Sequence, residues 1–309
     1  MKTLALALIF AASAFSEVKV TKAADRATVE IGGKPFTTFL YAPDTRKPYL
    51  YPIFTGSGKP ITRHFPMEKV AGETNDHPHH RGLWFSHGDV NGFNFWENEA
   101  SYENRKNMGT IILDRVLSVK SGKKEGSFSA IFNWLDTSGK KLMTEKRTMT
   151  FRDASPNRII DIDVDLHAVE KIGFGDTKEG TFALRLADSL AEKKTGTMVN
   201  AEGARKMKDV WGKKSPWVDY SGDLDGEKVG VTMIEHPANP SYPTRWHARD
   251  YGLFAANPFG QGEFEGAKTA GPARFFIEPG KNARFRYRVV IHPGDAASAK
   301  VAELAREYK

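Results

Sequence analysis

The sequence predicts an all-β fold, a large antiparallel β-sandwich with one C-terminal helix. Apolar and polar residues alternate with a period of two over long stretches, which is typical of half-buried strands. Turn signals such as Gly32-Gly33 and Pro279-Gly280 separate these stretches at short intervals. The chain has no cysteine, so burial of apolar side chains rather than disulfide bonding must stabilise the fold.

The strand candidates follow one another along the chain. The clearest is 158–167, where aliphatic side chains alternate with aspartates and end at His167. The segment 283–292 repeats this pattern with arginines on its polar face. The other candidates, in chain order, are 28–31, 36–41, 49–54, 110–119, 127–135, 142–151, 181–187, 228–235, 251–256 and 273–278.

One helix is predicted at the C-terminus, over 295–308. An apolar stripe that includes Val301 and Leu304 would pack against the sandwich, and Asp295 can serve as the N-cap. No internal repeat, low-complexity tract or linker interrupts the chain. We therefore expect residues 17–309 to form a single β-sandwich domain.

Residues 1–16 resemble a secretory signal peptide. Lys2 precedes an apolar run over 4–12, and small residues suited to cleavage follow it. This run is shorter than the roughly 20 residues that a membrane-spanning helix needs. We expect a soluble periplasmic or extracellular protein without a membrane span, cleaved after Ser16 or, as the alternative, after Ala14.

The charge distribution bears on the kind of partner. The formal net charge is +7, from 45 basic and 38 acidic residues, and the lysines are dispersed over predicted strand ends and turns. A nucleic-acid groove would need a concentrated basic stripe, which the sequence lacks. The expected partner is therefore a small molecule or a glycan and not a nucleic acid.

Two segments, 56–105 and 238–268, lack sustained periodicity and combine prolines, glycines, aromatic residues and charges. Long loops of this kind in a compact domain are usually functional or disordered, and the aromatic content argues against disorder. Within the first segment, four histidines lie within eleven residues: His77, His79, His80 and His87.

Three interpretations of this histidine cluster remain open. The imidazoles can satisfy loop backbone groups, bind a transition metal, or transfer protons near neutral pH without a metal. The spacing does not match His-Glu-x-x-His, and no metal or cofactor is assigned. The chain also lacks the Gly-x-Ser-x-Gly elbow, the phosphate loop and the dinucleotide fingerprint, which disfavours three large enzyme classes.

Two further groups can contribute to a site. Asp176 and Glu179 lie in a glycine-rich turn before a strand that carries Arg185, and they form either acid/base partners or a plain turn with a surface ion pair. Trp246 and His247 lie in the second irregular segment. The tryptophan is either a platform for a sugar ring or a plug in the core.

Four motifs carry a resemblance to a known family: 51–66, the histidine-rich 76–92, 175–180 and 246–252. In them the chain resembles secreted bacterial proteins called the PmoA family, or methane oxygenase PmoA-like proteins, over nearly its whole mature length. That family name implies a metal-dependent oxygenase or hydrolase. The long strands and aromatic loops are also similar to the supersandwich of galactose mutarotase-like and polysaccharide lyase proteins, which implies a carbohydrate ligand.

Together these observations favour a secreted carbohydrate-active enzyme with histidine and carboxylate acid/base chemistry. Its substrate would be a glycoside or modified sugar, and hydrolysis, elimination and epimerisation remain open. The alternatives are a non-catalytic sugar-binding protein of the envelope and the metal-dependent enzyme. The expected catalytic residues are His77, His80, His87, Asp176 and Glu179; the expected substrate-binding residues are Arg63, Arg81, Asn91, Trp96, Arg185, Trp246 and His247.

Overall fold

The computed structural model describes residues 16–104, 106–268 and 271–309. Apart from Ser16, the predicted signal peptide lies outside these residues, and export stays a prediction. In chain order the described strands are β1 (Val18–Lys22), β2 (Arg26–Ile31), β3 (Lys34–Leu40), β4 (Tyr49–Ile53), β5 (Leu83–His87), β6 (Thr110–Lys120), β7 (Glu125–Leu135), β8 (Lys141–Ala154), β9 (Asn157–Ala168), β10 (Ile172–Asp176), β11 (Gly180–Arg185), β12 (Thr197–Asn200), β13 (Trp217–Leu224), β14 (Glu227–Glu235), β15 (Arg245–Ala248), β16 (Leu253–Asn257), β17 (Gly271–Ile277) and β18 (Asn282–Pro293).

These strands form two large antiparallel sheets and a two-stranded ribbon. The first sheet has the order β1-β2-β3-β4-β5-β11-β16-β15, and the second has the order β12-β13-β14-β18-β9-β8-β7-β6. The ribbon pairs β10 with β17. Aromatic contacts join the inner faces of the two sheets, including Phe182 of β11 stacked on Tyr287 of β18 at 4.4 Å. The predicted all-β antiparallel sandwich is confirmed.

The two strands with the clearest alternation are neighbours in the second sheet. They are β9 and β18, and Val164 lies opposite Phe285 in their register. Both side chains are fully buried in the core between the sheets. On the other face, the Arg284 guanidinium donates to the Asp163 carboxylate at 2.8 Å. The period of two thus separates a core face from an ion-paired outer face.

The first sheet buries both of its faces where β5, β11 and β16 run side by side. Every residue of these three strands is buried, as is usual for predominantly apolar strands that are covered on both faces. In β5, Phe85 packs in the core between the sheets. The preceding residue, Trp84, lies on the opposite face of the sheet and packs with Trp96 and Tyr49 in a second apolar cluster. This cluster lies beneath the loops that carry the histidines.

The C-terminal helix is shorter than predicted. The described helices are α1 (Met207–Val210), α2 (Gln261–Phe264) and α3 (Val301–Glu307), with a 3₁₀ turn at Asp188–Leu190. Asp295 does not cap α3, because its carboxylate accepts a 2.8 Å hydrogen bond from the Ser298 amide in a preceding turn. Val301 packs, as expected, against the outer face of the second sheet beside Val290. Within the described residues, no helix has the length and hydrophobicity to cross a membrane.

Candidate functional site

A small polar cleft of about 170 Å³ opens on the face of the first sheet that points away from the core. Its floor adjoins the second apolar cluster, since His80 stacks on Trp84 with ring centroids 5.6 Å apart. Charged, imidazole and phenol groups make up its wall. The lining residues are His77, His79, His80, Glu97, Lys178, Glu179, His247, Arg249 and Tyr251.

Strand register explains why residues distant in sequence meet here. Trp84, Ala183, Ala255 and His247 lie opposite one another across four neighbouring strands, so they form one row on one face of the sheet. The loops before and after these strands supply the remaining wall. Parts of both irregular segments predicted from the sequence therefore meet at a single site.

A tight turn orients the histidine loop. The His80 amide donates to the His77 carbonyl at 3.0 Å, and Gly82 then directs the chain into β5 with a φ of +56°. A Cβ atom on Gly82 would lie 2.1 Å from the Leu50 carbonyl oxygen. Only glycine fits both this left-handed conformation and this close approach to β4.

The imidazole rings of the loop pack against one another and against Tyr251. The rings of His77 and His80 are parallel within 2°, with centroids 4.7 Å apart, and His79 meets His80 edge-on at 4.3 Å. His77 also stacks on Tyr251 at 5.2 Å. The Nδ1 atom of His79 is 2.6 Å from the Tyr102 hydroxyl. Ring stacking and this hydrogen bond restrict the orientation of all three imidazoles.

The ion-paired carboxylate of Asp76 is hydrogen-bonded to His77. Asp76 Oδ1 accepts hydrogen bonds from Arg63 and from Arg185, the latter at 2.9 Å, and both guanidiniums are fully buried. Asp76 Oδ2 lies 2.5 Å from His77 Nδ1. Because a carboxylate only accepts, Nδ1 carries a proton, and in the neutral imidazole Nε2 of His77 is left as the acceptor. Burial alone would raise the pKa of Asp76, but the bond from His77 and the two guanidiniums hold it well below its usual range.

Three cleft imidazoles are uncharged near neutral pH. Burial lowers the pKa of His79 to about 2 and that of His247 to about 3, and it lowers the pKa of His80 far below its ordinary value. Arg185 Nη1 lies 3.3 Å from His80 Nδ1, which must accept because a guanidinium only donates. The proton of His80 is therefore on Nε2, a buried atom without a hydrogen-bond partner in the described residues.

Glu179 is the acidic group of the cleft. Burial raises its pKa, against the effect of Lys178, whose Nζ lies 3.6 Å from Glu179 Oε1. The same Nζ lies 3.1 Å from Glu263 Oε1, so Lys178 is shared between two carboxylates. Burial also raises the pKa of Tyr251 to about 12. The cleft therefore combines a carboxyl whose pKa is raised by burial and a phenol that keeps its proton with the neutral imidazoles of His79, His80 and His247.

Four of the residues predicted from the sequence line this cleft: His77, His80, Glu179 and His247. Two others, Arg63 and Arg185, lie directly behind it through their bonds to Asp76. Both residues were predicted to bind substrate. In the structure both guanidiniums instead donate hydrogen bonds to Asp76.

Two predicted catalytic residues lie elsewhere. His87 is fully buried, its Nε2 lies 2.7 Å from the Gly175 carbonyl, and its ring packs against Phe259. Burial lowers its pKa to about 4. Asp176 is also fully buried and accepts a 2.7 Å hydrogen bond from the Gly262 amide at α2, with Arg274 Nε at 3.0 Å. These two side chains support the loops rather than line the cleft.

The remaining predicted residues have structural partners. Arg81 makes two 2.7 Å hydrogen bonds to Glu99, and Trp96 is buried against Trp84. Asn91 accepts a bond from the Gly173 amide at 2.7 Å. Trp246 is fully buried and donates to the Ser215 carbonyl at 2.7 Å, so its ring is not exposed as a platform for a sugar.

Sequence reasoning did not assign five of the cleft residues: His79, Glu97, Lys178, Arg249 and Tyr251. Each of them is next to, or within a few positions of, a residue that the sequence analysis assigned. The polar neighbours of assigned residues are the signal that could have found them. In the part of the chain that the structure describes, no group of three or more histidine, aspartate or glutamate side chains is arranged to hold a metal ion.

Comparison with known proteins places the chain in a family. A family model described as a family of unknown function, DUF6807, matches residues 26–306, which is most of the chain. The chain belongs to this family. No curated protein matches the sequence of this DUF6807 member.

Solved structures of carbohydrate enzymes resemble the DUF6807 fold at low identity. An α-galactosidase from Lactobacillus brevis is 8% identical, with a TM-score of 0.42, over 91% of this chain and 40% of its own. The α-galactosidase AgaB from Geobacillus stearothermophilus is 8% identical, with a TM-score of 0.47, over 90% of this chain and 41% of its own. The chain thus spans about two fifths of these two enzymes. A galactose mutarotase related enzyme from Lactobacillus acidophilus is 11% identical, with a TM-score of 0.30, over 89% of this chain and 97% of its own.

Proposed function

We propose that this DUF6807 protein is a carbohydrate-active enzyme that transfers protons at one sugar unit held in the cleft. The observation that carries this proposal is the arrangement of the Asp76–His77 pair and Glu179 around the same small cavity. One group is set to accept a proton and the other to donate one. Paired groups of this kind serve general acid/base catalysis.

His77 is the proposed general base. Its Nδ1–H donates to Asp76, which fixes the ring orientation and leaves Nε2 as the accepting atom. An ionised carboxylate in this position also stabilises the imidazolium that forms after proton transfer. Because Arg63 and Arg185 hold Asp76 in place, its carboxylate remains ionised and available to His77.

Glu179 is the proposed general acid. Burial raises the pKa of its carboxyl, so a larger fraction keeps its proton near neutral pH than in an exposed glutamate. His80 adds a second donor, since its Nε2–H is buried and has no partner in the described residues. Hydrolysis, elimination and epimerisation of a sugar each require one proton to be removed and one to be delivered, and these groups supply both.

The size of the cleft favours a single sugar unit. Its volume of about 170 Å³ is below the roughly 300 Å³ at which sites for drug-sized ligands begin. Its wall offers donors and acceptors at short intervals, which suits a ligand with a hydroxyl on nearly every carbon. The substrate would therefore be a monosaccharide or the terminal unit of a glycan.

The first prediction tests this assignment with a turnover screen against free sugars, glycosides and oligosaccharides, followed by chromatography and NMR. We expect His77→Gln and Glu179→Gln each to lower kcat by about 100-fold or more, because each removes a proton-transferring group. The matched control is His167→Gln, an exposed histidine on β9. The products identify the reaction. A new reducing end indicates hydrolysis, an unsaturated sugar indicates elimination, and inversion at one carbon indicates epimerisation.

Unchanged turnover in both cleft variants would contradict the proposal. Binding of sugars without turnover by the unmodified protein would instead indicate a non-catalytic sugar-binding protein. Circular dichroism and thermal unfolding of each variant separate loss of chemistry from loss of fold.

A further inference from the structure

Arg249 is a cationic wall residue of the cleft that lacks an acidic partner in the described part of the chain. It follows β15 directly and is half-buried. No carboxylate oxygen of the described residues lies within 4.0 Å of its guanidinium, and its Nε is buried without a hydrogen-bond partner. The neighbouring Asp250 pairs instead with Lys193, at 3.4 Å.

The other cations around the cleft differ in this respect. Arg63 and Arg185 share the Asp76 carboxylate, and Lys178 lies between Glu179 and Glu263. A half-buried charge without a counter-ion is unfavourable, because desolvation weakens its interaction with water and no partner compensates the loss. Arg249 is therefore the cleft cation that is free to pair with a ligand.

The backbone presents this guanidinium from a rigid turn. The Arg249 amide donates to the Leu253 carbonyl at 2.7 Å, and its carbonyl accepts from the Gly252 amide at 3.1 Å and the Tyr220 hydroxyl at 3.0 Å. The guanidinium carbon lies 5.5 Å from the centre of the Tyr251 ring, the same ring that stacks on His77. Arg249 is thus held against Tyr251, a ring that also contacts the proposed base, before any ligand arrives.

We propose that the sugar unit bound in this cleft carries a carboxylate, as in a hexuronic acid, and that Arg249 binds this carboxylate. This inference rests on the proposed function and names its substrate class. A guanidinium matches a planar carboxylate through two parallel hydrogen bonds, and the unpartnered Nε–H can supply one of them. The carboxylate would lie on the Tyr251 side of the cleft, next to His77.

The test measures equilibrium binding by calorimetry with methyl glycosides of galacturonic and glucuronic acid and with their neutral counterparts, methyl galactoside and glucoside. We expect a uronoside to bind at least about tenfold more tightly than its neutral counterpart, because a hydrogen-bonded ion pair contributes this much or more. Arg249→Gln should abolish the preference, and Arg249→Lys should retain part of it. Arg26→Gln, which removes an exposed guanidinium paired with Asp25, is the control and should leave it unchanged.

Each other outcome has a distinct meaning. Equal binding of acidic and neutral sugars, or a preference that survives Arg249→Gln, would overturn the carboxylate assignment and leave the proposed function intact. Tighter binding of galactose 6-sulfate than of either uronoside would also overturn it, in favour of a sulfated substrate. Failure of every sugar to bind would overturn the proposed function together with this inference. Thermal unfolding of the Arg249 variants verifies that they are folded.

Discussion

At the scale of single residues, the function of a polar side chain depends on which partner it already has. His77 and His87 have the same chemistry and lie ten positions apart, yet His77 opens on a cleft while His87 is bonded to the Gly175 carbonyl in the core. Arg185 and Arg249 differ in the same way, since only Arg185 pairs with a protein carboxylate. A side chain is available to a ligand when at least one of its polar atoms has no internal partner among the described residues.

A buried carboxyl outside the cleft leads to a prediction about pH. Glu235, at the end of β14, is 1% exposed and accepts a bond from the Thr244 amide at 2.8 Å, and burial raises its pKa to about 8 from 4.5. Between these two pH values the folded protein holds a proton that the unfolded chain has released. The stability that depends on this proton is therefore present in full below about pH 4.5, falls as the pH rises toward 8, and is lost above that pH.

Glu235→Gln should remove this loss, because glutamine stays uncharged at every pH. We expect the free energy of unfolding at pH 9 to exceed that of the unmodified protein by on the order of 5 kcal/mol, with little difference at pH 5. Urea unfolding at the two pH values measures the effect. Glu278→Gln, at an exposed glutamate paired with Lys171, should show no such pH dependence. An equal gain at both pH values would contradict the explanation by ionisation.

At the scale of strands and turns, the site depends on how closely neighbouring elements approach. The histidine loop joins β5 only because Gly82 passes within reach of the Leu50 carbonyl of β4. Short side chains have the same role within the sheet, where Ala183 and Ala255 separate Trp84 from His247 in one row. The geometry of the cleft is thus determined at positions that carry no chemistry of their own.

Gly82→Ala tests this dependence against a matched control. Gly82 and Gly33 both have a positive φ, +56° and +73°, but only Gly82 has backbone atoms where a Cβ would lie. We expect Gly33→Ala to lower the free energy of unfolding by about 1 kcal/mol, because alanine is strained at a positive φ. Gly82→Ala should lower it by about 3 kcal/mol or more, because steric overlap adds to this strain. Chemical denaturation gives both values. Equal costs would show that β4 and the loop can move apart without penalty.

At the scale of the whole molecule, one core joins the two large sheets. Apolar residues of β1 to β5 and of β6 to β9 belong to the same cluster, which continues through β11, β14, β16 and β18. Separating the sheets would expose this cluster along its whole length. Large contiguous apolar burial of this kind favours cooperative unfolding.

We therefore predict a single unfolding transition for residues 17–309. Calorimetric and van't Hoff enthalpies should agree, and near- and far-ultraviolet circular dichroism should change together. Phe182→Ala, at the contact with Tyr287 between the sheets, should shift this one transition by about 3 to 5 kcal/mol without splitting it. Two resolved transitions would show that the sheets, or other parts of the chain, unfold as separate units and would contradict the predicted single domain.

The sequence by itself determined twelve of the eighteen described strands, the antiparallel sandwich and the region of the candidate site. Alternation of apolar and polar residues is a local property, and it placed β9 and β18 within one residue at each end. It was less informative for β10 and β13, since β10 contains two glycines and most of β13 is buried on both faces. The density of histidines marked the loop before β5 for the same local reason.

Only the tertiary structure decided which polar residues share the cleft. His77 meets Tyr251, and Glu179 faces the same cavity, through strand pairings between segments far apart in the chain. It also decided that Trp246 is buried, which its aromatic and polar neighbours in sequence did not indicate. That no described carboxylate pairs with Arg249 is likewise a property of the assembled fold, because charge pairing depends on distances in space and not on separation along the chain.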